Sequence, residues 1–561
     1  MSQLIECVPN FSEGQDLNVI KQITDVITCI DGVKLLNVDP GKATNRTVVT
    51  FVGQPDAVVE AAFQAVKKAS EVIDMRKHHG EHPRFGATDV CPLVPVANIS
   101  MDETVVYARK LAQRIGEELN IAVYCYEFAA FSDERKSLAS CRSGEYEGLP
   151  QKLKDPKWKP DYGPVEFNVR AGATAVSARN FLIAYNVNLN TTSVRRANAI
   201  AFDVRESGRL LREGDPITGK IVKDQQGLPV RIPGSLRKVR AIGWYIEEYG
   251  IAQISMNLTD ITVTSLHQAF EAVCRSAHDR GMRVTGSELV GLIPLKAMLD
   301  AGKYFLRKQQ RSVGISDAEI IKIAIKSMGL DELGPFDPRE RIIEYRLEQD
   351  KKRLTDTSLS DFMYATASES AAPGGGSVAA YLGALGAALG GMVANLSAHK
   401  RGWDNRWGDF SNWADQAKGY QTTLLQLVDE DTKAFNQVMD AYAMPKSTEE
   451  EKALRNEAIR KATICAIESP LAVMEAACAS FDVIAEMAEH GNPNSVSDAG
   501  VAALCAKTAV HGAYLNVLIN LKELKDQSLS ESYKHRAEKL FYQAELKEQE
   551  ILQIVYGKIG L

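Results

Sequence analysis

Val33-Lys34-Leu35-Leu36-Asn37-Val38-Asp39-Pro40-Gly41-Lys42-Ala43-Thr44-Asn45-Arg46-Thr47-Val48-Val49-Thr50-Phe51-Val52 decides the fold of the N-terminal half. Two apolar, β-branched runs, 33–38 and 47–52, flank a polar turn holding Pro40 and Gly41, which is the pattern of two neighbouring strands. Amphipathic helical patterns lie on either side, at 17–30 and 55–73, and further strands are expected at 4–8 and 90–96. That order, β-α-β-β-α-β, predicts a ferredoxin-like unit. A helix over 102–119 and a strand over 122–126 follow it.

A second α/β unit is expected from strands near 163–169, 181–187, 239–245 and 252–258, with a polar Gly- and Pro-containing loop insertion at 213–233. The charge run 344–353 carries no sustained apolar stripe and reads as a solvated linker helix. Beyond it the patterns at 378–396, 413–443, 448–479, 498–521 and 530–556 are all helical, so the C-terminal part is expected to be a helical bundle. The fold class is therefore α+β followed by all-α.

Composition narrows the partners. The chain has 561 residues, 66 Lys plus Arg against 72 Asp plus Glu, and a formal net charge of -6. Such a balance supplies no electrostatic reason for a nucleic-acid or anionic-membrane partner. Nine scattered cysteines, with no C-x2-C pair, fit a reducing compartment and argue against a zinc site. Residues 1–7 hold no basic side chain and read as a first strand, so no secretory signal is expected. Residues 370–398 carry no charge, but Ala, Gly and Ser dominate them, and a buried soluble helix is expected in place of a membrane span.

Three features carry chemistry. His78, His79 and His82 crowd the loop Arg76-Lys77-His78-His79-Gly80-Glu81-His82-Pro83-Arg84-Phe85-Gly86. Metal ligation, acid/base catalysis and a hydrogen-bonding loop are all open, although the spacing is not that of a helical H-E-x-x-H pair. On a helical wheel, Leu424, Leu427, Phe435, Val438 and Tyr442 fall within about 40° of Asp431, which places this acid on an apolar stripe. Asp429 falls about 160° away and is expected on the wet face. Burial disfavours a charged carboxylate and brings Asp431 toward the pH range useful for moving protons, unless helix N-terminal amides or an Arg neutralise it. Finally, Pro373-Gly374-Gly375-Gly376-Ser377 opens a helix and exposes backbone NH groups, without the spacing or lysine of a Walker loop. Trp403, Trp407 and Trp413 cluster just before the Asp431 helix, as core residues or as a stacking surface for a flat heterocycle.

Glu6-Cys7-Val8-Pro9-Asn10-Phe11-Ser12-Glu13-Gly14, Thr44-Asn45-Arg46-Thr47, His78 with Gly80-Glu81-His82-Pro83-Arg84, Ile242-Gly243-Trp244-Tyr245, Glu340-Arg341-Ile342-Ile343-Glu344-Tyr345, Ala372-Pro373-Gly374-Gly375-Gly376-Ser377, Leu427-Val428-Asp429 with Asp431, and Asn516-Val517-Leu518-Ile519-Asn520-Leu521 together resemble the formimidoyltransferase-cyclodeaminase family over nearly the whole chain. The resemblance implies a bifunctional folate enzyme of histidine breakdown. Its formimino group would pass from N-formimino-L-glutamate to tetrahydrofolate, and the product would close to 5,10-methenyltetrahydrofolate with loss of ammonia. It implies formiminotransferase subdomains at 1–178 and 179–338, a linker at 339–358 and a cyclodeaminase domain at 359–561. It implies His82 as the transferase acid/base and Asp431 as that of the cyclodeaminase.

Family folate contacts map to Gly163, Pro164, Val165, Glu166, Phe167, Asn168, Val169, Arg170, Ala171 and Gly172. To these we add Asp39 and Asn45 for a pterin edge and Arg84 for a carboxylate, on the chemistry of those side chains alone. Tetrahydrofolate, with a polyglutamate tail or without, is then the implied co-substrate, with no metal required. A cytoplasmic homo-oligomer built from dimers is the implied setting. The alternative expectation is a transferase alone, with the helical part as an oligomerisation module.

Overall fold

The computed structural model describes residues 3–42, 44–80, 83–215, 218–349, 353–370 and 372–560. It divides into two compact units, Met1–Gly302 with Ala324–Gln349, and Lys303–Ile323 with Asp350–Leu561.

The first unit holds two sheets. Strands β1 (Leu4–Cys7) and β2 (Asn10–Phe11) are one strand interrupted at Val8 and Pro9; then come α1 (Leu17–Thr28), β3 (Val33–Gly41), β4 (Arg46–Gly53), α2 (Pro55–Val72), β5 (Thr88–Ala97), α3 (Met101–Leu119), β6 (Ala122–Glu127) and β7 (Ala173–Ala178). Across the sheet the order is β3, β4, β1/β2, β5, β7, β6, antiparallel up to β5 and parallel from β5 through β7 to β6. The expected pair of strands about the Pro40–Gly41 turn is present as β3 and β4, with Val38 opposite Val49. One face packs Ile5, Cys7, Phe51, Cys91 and Val176 against α1, α2 and α3 residues such as Ile23, Val58 and Leu111.

The second sheet repeats the order with β8 (Ile183–Leu189), α4 (Val194–Val204), β9 (Arg209–Leu210), β10 (Arg231–Ile232), β11 (Val239–Ile246), β12 (Ile251–Leu258), α5 (Leu266–Asp279) and β13 (Val284–Val290). Its four long strands run β11, β12, β8, β13, all antiparallel.

Three expectations need correction. Residues 163–169 form an irregular loop in place of a strand, with Val165 and Val169 46% and 49% exposed. The strand is β7, whose six residues are all buried because neighbours cover both faces. Residues 213–233 are not a plain loop: β9 pairs with β10, and bridges join Arg212 to Ile221 and Lys223 to Pro229. A long polar segment satisfies its backbone groups by pairing with itself. The charge run 344–353 is not simply a solvated helix either. Its helix is Ile343–Glu348, and Ile343 is buried with Leu36, Val52 and Leu292.

The second unit is built on α6 (Gly375–Ala398), α7 (Trp407–Ala443), α8 (Glu449–His490), α9 (Val496–Leu521) and α10 (Gln527–Ile559). Its core joins Ala380, Ala384 and Ala387 of α6 to Leu424, Phe481 and Ala506. By length and composition α6, α8 and Pro493–Leu521 could each cross a membrane. In α6 the uncharged run has a packing use, since a Cβ on Gly386 would sit 2.9 Å from the Ala502 carbonyl oxygen. Only a bare Cα permits that helix–helix approach. Trp403 stacks on Phe410 with ring centroids 5.5 Å apart, and Trp403 and Trp413 pack on a core of Val393, Ala414 and Val483. They belong to the core reading.

Candidate functional sites

The histidine loop leaves the short helix after α2 and is pinned at both ends. A Cβ on Gly80 would lie 2.3 Å from the Thr44 carbonyl oxygen, so the loop runs close over the β3–β4 turn. Asn45, with φ 47°, accepts from the Gly14 NH at 3.0 Å and donates to the His79 carbonyl at 2.9 Å. Asn tolerates that left-handed conformation better than most residues. His78 is buried, and its Nε2–H donates to the Asn45 carbonyl at 2.7 Å. Its Nδ1 accepts from Arg84 Nε at 3.3 Å. Burial first, with Arg84 adding to it, lowers the His78 pKa against the pull of the Asn45 carbonyl. Both ring nitrogens are therefore committed, and His78 is a neutral hydrogen-bonding residue of the loop. His79 is exposed. Glu81 and His82 lie outside the described residues.

Arg84 makes a two-point contact with Glu147, Nη1 to Oε2 at 2.8 Å and Nη2 to Oε1 at 2.7 Å, with Glu145 at 3.3 Å. That pairing raises the Arg84 pKa and lowers that of Glu147. The guanidinium proposed for a substrate carboxylate already serves the helix Glu145–Lys152. Asp39 is likewise engaged: its Oδ2 accepts from the Gly291 NH at 2.9 Å and stands 3.8 Å from Arg341, tying β3 to the strand end of the second sheet.

Residues 163–172 run along the rim of the first sheet. Asn168 Oδ1 caps the turn by accepting from Arg170 and Ala171 NH groups at 3.2 and 2.9 Å, and Phe167 lies 5.3 Å from Tyr146. Gly172 bridges to Gly86, two residues beyond Arg84. The structure thus brings the Gly172 end of this segment beside the histidine loop, with Val165, Glu166, Val169 and Arg170 left exposed.

Two buried acids near this region escaped the sequence reading. Asp89, wholly buried, pairs with Arg46 and with Arg142 at 2.6 Å, and its Oδ1 accepts from the Phe85 NH at 3.1 Å. Arg46 in turn donates to Asn10 Oδ1 at 2.9 Å. Glu6, 2% exposed on the sheet face away from the helices, has no hydrogen bond or ion pair among the described residues. Burial pushes its pKa from an ordinary 4.5 to about 7, opposed by Arg179 and reinforced by Glu344. In sequence both acids sit in strands, where an acid between apolar residues reads as a solvent-facing position.

The Glu6 shift has a testable consequence. Between about pH 4.5 and 7 the folded chain holds a proton that the unfolded chain has released, so stability falls as pH rises through that window. At about 1.4 kcal/mol per unit the full loss is on the order of 3 kcal/mol. Glu6→Gln is expected to match the parent chain in thermal melts at pH 4.5 and to be more stable at pH 8. Equal stability at both pH values would count against a buried, titrating Glu6.

In the second unit, Asp431 rides on α7 and meets the first turn of α6. That turn starts at the N-cap Gly374, as the glycine run predicts. Ser377 Oγ is 3.1 Å from Asp431 Oδ2 and 2.9 Å from the Val428 carbonyl. Burial raises the Asp431 pKa, while the Ser377 hydroxyl and backbone NH pull it back. Helix N-terminal groups therefore do hold this carboxylate, one of the alternatives left open, yet its net shift is upward. A Cβ on Gly376 would fall 2.2 Å from Asp431 Oδ1, so the carboxylate rests directly on a glycine Cα.

The apolar stripe around Asp431 is only partly covered. Leu424 and Val428 are buried, but Phe435 and Tyr442 are 38% and 42% exposed. Asp429 is not on a wet face. It accepts from the Leu354 NH at 2.7 Å and Thr355 Oγ1 at 3.0 Å, because the segment around Leu354–Asp356 straps a second side of α7.

Residues 4–179 match a family model described as the formiminotransferase domain, N-terminal subdomain, residues 184–348 one described as the formiminotransferase domain, and residues 358–539 one described as formiminotransferase-cyclodeaminase. The chain is 45% identical to the formimidoyltransferase-cyclodeaminase of Rattus norvegicus over 97% of both chains. It is 40% identical to the protein of the same name from Dictyostelium discoideum over the full length of both. A glutamate formimidoyltransferase of Streptococcus pyogenes is 42% identical over 55% of this chain and 94% of its own. With all three models in sequence order and identity running through both units, this chain belongs to the formimidoyltransferase-cyclodeaminase family.

Proposed function

We propose that this chain carries two consecutive folate reactions. In the first, N5 of tetrahydrofolate adds to the amidine carbon of N-formimino-L-glutamate, the bond to the glutamate nitrogen breaks, and that nitrogen leaves with a proton. In the second, N10 of 5-formiminotetrahydrofolate adds to the same carbon. With the amidine protonated at the start, the N10 proton passes to the formimino nitrogen, ammonia leaves, and the cationic 5,10-methenyl ring remains. The reading rests on the match of full-length relatives that carry both names across both units.

Both steps ask for one group that takes a proton from one nitrogen and returns it to another. We assign that work to His82 in the transferase and Asp431 in the cyclodeaminase. The raised Asp431 pKa supports the second assignment, since a carboxyl that holds its proton nearer neutral pH can deliver it to a departing amine. For the first, His78 is already committed on both nitrogens, which favours another histidine of the loop. The 163–172 segment, latched to Gly86, supports a folate contact beside that loop.

The repeated strand order supports reading both sheets of the first unit as ferredoxin-like, the first extended by β7 and β6. Exposed Leu385, Met392 and Leu396 on α6, with Val501 and Leu504 on α9, support a homo-oligomer built from dimers. Tetrahydrofolate, with a polyglutamate tail or without, is the co-substrate, in a cytoplasmic step of histidine degradation with no metal and no membrane span.

The test is the whole chain supplied with N-formimino-L-glutamate and tetrahydrofolate, following ammonia and folate species together. One ammonia and one methenyl product per formimino group are expected. Transfer without ammonia would leave a transferase with an oligomerisation module, and no transfer would sink the transferase assignment.

A further inference from the structure

Asp431 is not alone at the entry of α6. The consecutive glycines there meet side chains from two different helices: Gly376 meets the Asp431 carboxylate from α7, and Gly375 meets Asn516 from α9. A Cβ on Gly375 would lie 3.5 Å from Asn516 Nδ2 and 3.9 Å from its Oδ1. Adjacent Cα atoms are about 3.8 Å apart, so the acid and the amide bracket a single helical turn.

The Asn516 amide is also oriented. Its Nδ2 donates to the Gly512 carbonyl at 2.9 Å, one turn back in its own helix. A carbonyl only accepts, so the NH2 group must face Gly512 and the oxygen faces away. Among the described residues that oxygen receives no hydrogen bond. Asn is a poor helix former compared with Ala or Leu, and a half-buried position at a helix contact has no packing need for an amide.

We infer that Asn516 is a positioning residue of the cyclodeaminase site, its side-chain oxygen accepting an N–H of the substrate's formimino nitrogen while Asp431 handles the proton. The inference rests on the reading of Asp431 given above. As N10 adds to the carbon of the protonated formimino group, the N10 proton travels through Asp431 to the formimino nitrogen, the bond to that nitrogen breaks, and ammonia leaves the methenyl cation. Asn516 neither gains nor loses a proton. It holds the nitrogen toward Asp431, and the hydrogen bond strengthens as that nitrogen becomes an ammonium.

The experiment uses the full-length chain with supplied 5-formiminotetrahydrofolate, reading kcat, KM and pH profile, with formimino transfer in the same preparation as control. Asn516→Ala is expected to lower cyclodeamination kcat at least tenfold, with KM within threefold and transfer unchanged. Asn516→Asp keeps an acceptor oxygen, and its charge holds the proton on Asp431 to higher pH. This variant is expected to recover much of kcat and to move the pH profile upward. An alanine variant with unchanged kcat overturns the inference. So does a loss that the aspartate variant neither recovers nor shifts in pH, which is the mark of a merely structural back-bond. A parent chain that releases no ammonia would instead refute the reading of the site, so the two failures are separable.

Discussion

Asp431→Asn is expected to lower ammonia release from 5-formiminotetrahydrofolate by about 10²–10⁴-fold, the usual range for removing a positioned acid/base group, while leaving formimino transfer intact. The amide has nearly the shape of the acid, so it can keep its place over Gly376 and its contact with Ser377. What it loses is the exchangeable proton. Burial holds that proton on Asp431 to a higher pH than an ordinary aspartate, opposed by the Ser377 hydroxyl and NH. His82→Ala is expected to do the reverse, abolishing transfer and sparing cyclisation of supplied intermediate. Either substitution removing both activities from a folded chain would contradict the division of labour between the two units.

Asp89→Asn is expected to destabilise the first unit by about 3–5 kcal/mol, the range for removing one partner of a buried ion pair. Asp89 is the carboxylate that Arg46 and Arg142 share, at full burial. Without its charge the two guanidinium groups repel one another in a site where water cannot screen them. Burial already lowers the Arg46 pKa, and Arg142 adds to that while Asp89 opposes it. The same carboxylate accepts from the Phe85 NH, beside Arg84, so the histidine loop should loosen with it. Thermal melts should show a fall on the order of 10 °C in the transition of this unit, and transfer should weaken before cyclodeamination does. A melting temperature within 2 °C of the parent would show that the arginines are balanced by other groups.

Much of the architecture was legible in local pattern. Helices α1 to α3 lie where the period-3.6 pattern places them, because each has one face on a core and one toward solvent, and β3, β4 and β5 are legible as β-branched apolar runs bounded by turn residues, although β4 and β5 are buried along most of their length. The failures share a cause. Ala173–Ala178 is covered on both sides, so its small side chains show no alternation, while the 163–169 loop alternates as a strand would. A helical wheel assumes a single covered face and so puts Asp429 in water, whereas α7 is strapped on a second side at Leu354 and Thr355.

By itself the sequence determined which residues share an element and a face: Asp431 in register with Leu424 and Val428, and a glycine run at the start of a helix. Those are properties of a few consecutive turns, set by backbone geometry and side-chain spacing. Tertiary structure alone decided the partners. Asp431 meets Gly376 and Ser377 from 55 and 54 residues away, Asn516 meets Gly375 from another helix, and Asp39 spends its oxygen on Gly291 across 252 positions. Whether a carboxylate is neutralised, raised in pKa or used as a strut depends on what packing brings within about 4 Å of it, and separation along the chain carries no record of that distance.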